Sequence, residues 1–256
     1  TVDTPVPFSI HKLWFDLHIL VNGTHTAQGT GQSADTLAFL CDGEGERVQP
    51  GSAMQVIAPK FRPQNQGAGE KIYLSGSNLS IRRQLEGLAS KLRDTRFDFL
   101  FRPGSLLPDE YGVVENDLNS LLENWIGGPR PISILDLSGI PASILTDLIG
   151  VLLRIIYDAL FWSRFLSEGG RERPLLVVLE EAHTYLGQGV GGSAAESVKR
   201  IVKEGRKYGI GAMIVSQRPS EIDPTILSQC GTIIAMRLTN SSDRGHVTSV
   251  VTDNLE

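Results

Sequence analysis

Residues 175–183, LLVVLEEAH, decide the fold of this chain. Five consecutive apolar residues predict a strand of the kind that parallel sheets bury on both faces. The acids Glu180 and Glu181 follow at once, at the carboxyl end where open α/β sheets bind ligands. The stretch therefore predicts a pair of carboxylates at a ligand-binding edge. A strand that simply ends in solvated acids is the alternative.

Three further apolar runs lie around this strand, at residues 132–137 (ISILDL), 210–216 (IGAMIVS) and 232–238 (TIIAMRL). Each predicts another strand. The spacing of apolar residues predicts a long helix between the first two strands, with a face formed by Ile144, Leu148, Val151, Ile155 and Ala159. Strands separated by helices indicate an α/β fold, with a mostly parallel sheet covered by helices on both faces.

Capping signals set the predicted ends of the helices. Ser193-x-x-Glu196 is a capping box that opens a helix running to Tyr208. Asp223, followed by a proline, is predicted to cap a short helix. Asp136 ends a predicted strand, and we expect it to cap the long helix; a place in the floor of an active site is the alternative.

Glycine content and the spacing of apolar residues divide the chain into three predicted regions. Residues 1–78 are predicted to contain an exposed, β-rich insertion with many glycines, and residues 79–130 a helical subregion. Apolar spacing predicts helices at residues 81–92 and 115–126 in that subregion. Residues 131–256 carry the predicted strands and helices of the α/β core.

Composition excludes several classes of protein. Hydrophobic residues make up 41% and charged residues 21%, as in an ordinary globular protein. A net charge of −5 argues against a basic nucleic-acid-binding domain, so DNA contacts would need a local basic stripe. The apolar stretch at residues 140–165 is interrupted by Asp147, Arg154 and Asp158, which argues against a membrane span.

The cysteine pattern indicates a reducing compartment. Cys41 and Cys230 lie far apart in the sequence and show no metal-ligand spacing. We therefore expect a cytoplasmic protein in which both thiols are small core residues.

Further motifs make the interpretation specific. EGRKYG (204–209) ends a predicted helix, and VSQRPSEIDP (215–224) ends the next strand. The series ILDLSG, LVVLEEAH, EGRKYGIG and VSQRPSEIDP, in this order, resembles the HerA branch of the HerA/FtsK ATPases. The resemblance covers roughly residues 97–253, and RFDFLFRPG (96–104) is a further match. It implies part of a RecA-like P-loop NTPase core that uses ATP and Mg²⁺.

The resemblance also implies roles for single residues. Glu181 would be the catalytic base, Glu180 the acid that orients the water shell of Mg²⁺, and Gln217 the sensor of the γ-phosphate or the attacking water. Arg206 would be an arginine finger that reaches the nucleotide of the neighbouring subunit, because a guanidinium meets phosphate oxygens in pairs. Alternatives remain. Arg206 could instead be a favourable cation at a helix end, Arg218 could be the finger, and Gln217 could be an ordinary polar strand end.

Other residues near these motifs are less specific. His183 is expected to pack or to act through its neighbours rather than bind a ligand. Lys199, Lys203 and Lys207 fall on one helical face, where they could contact DNA or another subunit; a solvated face is the alternative. A glycine-rich turn at residues 187–192 could face the pore of a ring.

The phosphate-binding loop is missing from this sequence. No string of the form G-x-x-x-x-G-K-[ST] occurs in it, so backbone amides and a lysine for the β and γ phosphates are not provided. In the family this loop precedes the region found here. We therefore expect an internal piece of a longer ATPase that binds nucleotide poorly, and is inactive, by itself. A degenerate relative that does not hydrolyse ATP is the alternative.

The resemblance implies a motor: a homohexameric ring that moves double-stranded DNA without sequence preference. It implies two settings, DNA-end processing and bacterial antiphage defence, with a nuclease or another effector as partner, and the composition favours the bacterial one. Two other functions stay open. One is a ring that organises an effector with little ATPase activity, and the other is a conjugation or secretion ATPase.

Overall fold

The computed structural model describes residues 6–76, 80–167, 169–187, 189 and 192–253. The chain divides into two compact units, Thr1–Leu118 and Asn119–Glu256. None of the helices in the described ranges has both the length and the apolarity that crossing a membrane requires.

The first unit is built around its two longest helices, which pack on each other. Its helices and strands are α1 (Ile10–Asn22), β1 (Thr24–His25), β2 (Tyr73–Leu74), α2 (Arg82–Arg93) and α3 (Asp98–Phe101). Ser9 begins α1 by accepting a hydrogen bond from the backbone N–H of Lys12. Trp14 of α1 is buried with Leu85 and Leu92 of α2. The helix predicted at residues 81–92 is confirmed, whereas α1 was not expected from the sequence.

Between α1 and α2 the backbone forms short antiparallel pairings rather than long strands. β1 pairs with β2, and further single bridges join His25 to Leu37, Phe39 to Phe61, Cys41 to Arg47, Ser52 to Ile57 and Asn65 to Ile72. Phe39 and Phe61 stack across their bridge at a centroid distance of 5.2 Å. The many glycines and prolines in this segment limit the length of each pairing.

The second unit combines helices with a small parallel sheet. Its elements are α4 (Leu118–Leu122, at the boundary), a π-helical turn (Glu123–Gly127), α5 (Ala142–Trp162), β3 (Leu175–Leu179), α6 (Ser193–Glu204), β4 (Ile210–Ile214), α7 (Pro224–Leu227) and α8 (Ser241–Asp253). The unit is therefore mixed α/β. The strands predicted at residues 175–179 and 210–216 are confirmed, although the second ends at Ile214.

β3 and β4 run parallel in a register that pairs Leu175 with Ile210 and Leu179 with Ile214. One face of the pair packs on the core of the unit, where α6 contacts β4 and α5 contacts α6. Leu176, Val178 and Met213 point to the other face and are exposed. The expected cover of helices on both faces is therefore not seen within the described residues, where these apolar side chains stay exposed.

Two of the predicted strands are absent from the described sheet. Residues 132–137 and 232–238 have no ladder partner, and Ile134 and Met236 are 87% and 86% exposed. Apolar composition gives a segment strand propensity, but a strand forms only where a neighbour provides backbone hydrogen bonds. Both predictions were wrong for that reason.

The long helix is confirmed, but its buried face differs from the predicted one. Ile149, Leu153, Ile156 and Leu160 are buried, whereas Val151 is exposed. The helix is apolar on most of its circumference, so spacing alone does not identify the face that packs.

Two predicted caps were wrong. Gly192 is the N-cap of α6, and the hydroxyl of Ser193 instead donates to the carbonyl of Thr146 in α5. This contact arises because α5 approaches Ser193 closely at Gly150. Asp136 does not cap α5; its carboxylate accepts the N–H of Ser138, and this bond lowers its pKa. The cap predicted at Asp223 is confirmed, since its carboxylate accepts the N–H of Thr225.

Both cysteines carry free thiols, but only one is partly covered. Cys41 is exposed, so its predicted place in the core was wrong. It lies in the bridged segment before α2, where short pairings leave little interior. Burial raises the pKa of the Cys230 thiol.

Candidate active site

The carboxyl ends of β3 and β4 bring together two of the predicted residues. Glu181 follows β3 and Gln217 follows β4, and the parallel register places these strand ends side by side. Nε2 of Gln217 donates a hydrogen bond of 2.9 Å to Oε1 of Glu181. The amide that the sequence singled out is therefore in direct contact with the candidate base.

Glu181 has an unusual backbone. Its φ of 47° lies in the left-handed region, which costs a residue with a side chain of order 1 kcal/mol. Its carbonyl accepts hydrogen bonds from the N–H and the hydroxyl of Thr184, and a 3₁₀ turn (Ala182–Thr184) follows. This sharp turn ends the strand and leaves the carboxylate 52% exposed at the sheet edge.

Glu180 and Tyr185 complete this strand end. The hydroxyl of Tyr185 donates to the backbone carbonyl of Glu180 over 2.9 Å. Burial, reinforced by the charges of Glu180 and Glu181, raises the pKa of Tyr185 to about 12, so its phenol stays protonated and continues to donate. Glu180 is exposed, and among the described residues no partner holds its carboxylate. The sequence motifs did not indicate a role for Tyr185, although it lies only four residues after Glu181.

A histidine and a serine connect the two strand ends. Nδ1 of His183 lies 3.4 Å from Oε2 of Glu181 and 3.2 Å from Oγ of Ser216. Ser216 also accepts the backbone N–H of Arg218 at 3.0 Å. His183 therefore contacts the candidate base itself.

The loop after Gln217 is anchored by α8. Oδ1 of Asp243 accepts both the N–H and the hydroxyl of Ser220, at 3.1 and 2.6 Å. These hydrogen bonds lower the pKa of Asp243. Arg218 pairs with Glu221 in the same loop at 2.8 Å. Sequence reasoning missed Ser220 and Asp243, because no local pattern indicates a pairing over 23 positions.

Arg206 lies at the other end of the sheet. It is exposed in the 3₁₀ turn Gly205–Tyr208 that enters β4, whereas Gln217 follows the end of β4. Five strand residues span about 16 Å at 3.3 Å per residue. Arg206 is therefore held away from Glu181 of its own chain, while Arg218 lies beside the loop of the site.

The three lysines of the predicted stripe differ in their surroundings. Nζ of Lys199 pairs with Oδ2 of Asp223 at 2.6 Å, which lowers the pKa of that carboxyl. Lys203 and Lys207 are exposed, and Lys207 lies in the 3₁₀ turn after α6 has ended at Glu204. Part of the glycine-rich turn at residues 187–192, including Gln188 and Val190, lies outside the described residues.

The donor set at the edge fits a hydrated Mg²⁺ better than a dedicated metal cage. The exposed carboxylates of Glu180 and Glu181 are hard oxygen donors of the kind that Mg²⁺ accepts while keeping several waters. No cluster of three or more His, Cys, Asp or Glu side chains within the described ranges could hold a metal by itself. An ion at this edge would therefore need other oxygens, such as phosphates.

Comparison with known proteins gives a consistent result. No protein-family model matches the chain. The chain is similar to the DNA double-strand break repair helicase HerA of Sulfolobus acidocaldarius, with 33% identity over 177 residues that make up 69% of this chain and 35% of the relative. The HerA helicase of Pyrococcus furiosus is 28% identical over 65% of this chain and 34% of its own length. The HerA helicase of Sulfurisphaera tokodaii is 34% identical over 48% of this chain and 25% of its own length.

The chain spans about a third of the length of the first two of these relatives. All three relatives are HerA helicases, and the resemblance inferred from the ordered motifs points to the same family. The homologous relatives are HerA helicases at 28–34% identity over about half to two thirds of this chain, which supports a HerA-like family.

Proposed function

We propose that this chain supplies the hydrolysis edge of a HerA-type ATPase that moves double-stranded DNA. The observation that carries the proposal is the contact between Glu181 and Gln217 at the carboxyl ends of two parallel strands. The names of the relatives support DNA as the substrate. The exposed apolar face of β3 and β4 supports a larger RecA-like core, because parallel sheets in α/β proteins are normally covered on both faces.

In the proposed reaction each residue has a separate task. Glu181 accepts the proton of the attacking water, and Gln217 orients both that water and the carboxylate. Glu180, whose side chain is exposed at the edge, would hold the waters around bound Mg²⁺. Bound Mg²⁺ would neutralise charge on the phosphate oxygens. The segment that cradles the phosphates is not among the motifs of this chain, so we propose that the chain alone neither holds nor hydrolyses ATP.

The assembly is part of the proposal. The position of Arg206, at the opposite end of β4 from Glu181, supports action on the site of a neighbouring subunit. A homohexameric ring would bring these two ends together, because a head-to-tail interface joins different surfaces of identical subunits. Lys203 and Lys207 are exposed and remain candidates for DNA or subunit contacts, with a nuclease or another effector as the partner of the ring. The cytoplasm stays the predicted compartment.

The test uses the protein at its full natural length. We expect double-stranded DNA to stimulate its ATPase activity, and Glu181→Gln to lower kcat by about 10²–10⁴-fold, the usual effect of losing a general base. Glu221→Gln, a change of the same kind in the neighbouring loop, is the matched control. Rings that persist without nucleotide, hydrolyse little ATP and keep their effector function in Glu181→Gln would replace the motor with an effector scaffold. ATPase activity without any response to DNA would favour a secretion ATPase.

A further inference from the structure

His183 occupies a position that the proposed reaction does not explain. Its Nδ1 lies 3.4 Å from Oε2 of Glu181, which follows β3. The same atom lies 3.2 Å from Oγ of Ser216, which follows β4. The side chain is 16% exposed, whereas that of Glu181 is 52% exposed. The ring is thus mostly enclosed, behind a carboxylate that faces solvent.

Hydrogen-bond chemistry restricts which nitrogen carries the proton. An ionised carboxylate only accepts, so Nδ1 must bear a hydrogen to interact favourably with Glu181. Oγ of Ser216 already accepts the N–H of Arg218, and its second lone pair can accept from Nδ1 as well. In the other tautomer, the lone pair of Nδ1 would face a carboxylate oxygen.

We infer that His183 is a positioning residue, which donates from Nδ1 to Glu181 and fixes the orientation of that carboxylate. This inference rests on the proposed function for its catalytic consequence, but not for its geometry. Gln217 donates to Oε1 and His183 to Oε2, so each carboxylate oxygen has its own donor. Two donors on separate strand ends hold the carboxylate in one plane.

This arrangement also accounts for the backbone of Glu181. The left-handed turn at Glu181 allows His183, only two residues later, to fold back onto the carboxylate. Ser216 and Gln217 both lie in the segment that follows β4, so the ring also links the candidate base to that segment. A shift between the two strand ends would therefore change the orientation of the base.

The first test requires no catalytic activity. In the full chain with ¹⁵N-labelled histidine rings, at about pH 8 where histidine is ordinarily neutral, we expect the ring nitrogen shifts of His183 to show a protonated Nδ1. Glu181→Ala should move the proton to Nε2, and the control Glu221→Ala should leave it on Nδ1. A protonated Nε2 in the unchanged protein, or no response to Glu181→Ala, would overturn the inference.

The second test separates positioning from a general structural role. In His183→Asn the amide nitrogen lies near the position of Nδ1, whereas in His183→Gln it lies closer to that of Nε2. In the full-length ATPase we expect His183→Asn to keep kcat within about threefold, and His183→Gln to lose about tenfold or more with KM unchanged, as when a partner that orients a reactive group is removed. Equal losses in the two variants would overturn the positioning role.

The two tests distinguish failure of this inference from failure of the proposed function. If Glu181→Gln leaves ATP turnover intact, the ATPase mechanism fails, and the ring shifts still decide whether His183 donates to Glu181. If turnover depends on Glu181 while the ring carries its proton on Nε2, only the role of His183 fails.

Discussion

Gln217 and Glu181 are 36 positions apart in the sequence, yet Nε2 of the first donates to Oε1 of the second over 2.9 Å. The parallel pairing of β3 and β4 produces this contact, because it brings equivalent strand ends to one edge. An amide in this position can donate to the carboxylate and still keep its own oxygen for a water.

The contact predicts the effect of changing Gln217. Gln217→Glu replaces a donor with a second carboxylate next to Glu181, and like charges at this distance repel. We expect kcat of the full-length ATPase to fall by about 10²-fold or more, the lower range for losing general-base function. Steady-state kinetics will measure the change. Gln229→Glu, at an exposed glutamine after α7, is the control. Turnover equal to that of the control would exclude Gln217 from the site.

The position of Arg206 predicts complementation between subunits. Arg206→Ala should abolish hydrolysis at the site of the neighbour and leave the subunit's own Glu181 functional. Rings mixed from Arg206→Ala and Glu181→Gln subunits should therefore hydrolyse ATP faster than either homogeneous ring. An arginine finger contributes about 10³–10⁵-fold to turnover, so the homogeneous Arg206→Ala ring should be almost inactive.

Arg173→Ala provides the control for Arg206, since it removes an exposed guanidinium from the segment just before β3, for which no role is proposed. A defect of Arg206→Ala that no mixed ring relieves would contradict action in trans. Full activity of Arg206→Ala combined with loss in Arg218→Ala would transfer the finger role to Arg218.

A buried histidine, His11, and a partly buried one, His18, predict a pH dependence of the first unit. His11 is fully buried, and both of its ring nitrogens lack hydrogen-bond partners in the described part of the chain. Desolvation, with help from the charge of Arg102, lowers its pKa below 6.5, and desolvation with Arg93 does the same for His18. As the pH falls, these two histidines therefore bind protons at a higher pH in the unfolded chain than in the folded chain.

The sign of this effect follows from the direction of the pKa shifts. Stability should be constant well above pH 6.5, should decrease as the pH falls through 6.5, and should level off below the lowered pKa of the folded state. Thermal unfolding at pH 7.5 and 5.5 will measure it. His11→Leu should reduce the difference in Tm, whereas Leu13→Ala, an exposed change on the same helix, should preserve it. An unchanged difference in His11→Leu would contradict the prediction.

Gly209, which follows the 3₁₀ turn that carries Arg206, is a position where we expect only glycine to be tolerated. Gly209 has a φ of +73°, and a Cβ there would lie 1.8 Å from the carbonyl oxygen of Gly170. We expect Gly209→Ala to lower the free energy of unfolding by at least about 2 kcal/mol, as severe steric and backbone strain does. Urea denaturation will measure this change.

Gly211→Ala is the control for this substitution. Gly211 lies two residues later in β4, and its nearest neighbour, a methyl of Leu176, would be 3.7 Å from the new Cβ. This change should be neutral or slightly stabilising, because alanine restricts the unfolded chain. Similar losses at both positions would mean that strain at Gly209 is not the cause.

Local sequence patterns predicted much of the second unit. The apolar run before Glu180 formed β3, the capping aspartate at residue 223 began α7, and residues 193–204 formed α6. These features depend on residues close together in the chain. Residues 132–137 and 232–238 had a comparable composition but lacked strand partners, since pairing depends on distant segments.

By itself, the sequence predicted the candidate residues for the chemistry: an acid pair after an apolar strand, an arginine before the next strand and a glutamine after it. Only the tertiary structure decided that the hydroxyl of Ser193 contacts α5, that His183 lies against Glu181, and that Arg206 is far from Glu181 of the same chain. The physical reason is that hydrogen bonds between strand ends depend on register and turn geometry, which periodicity and composition do not encode. Glu181 shows both contributions: the motif identifies it, whereas its left-handed backbone and its two donors arise from the fold.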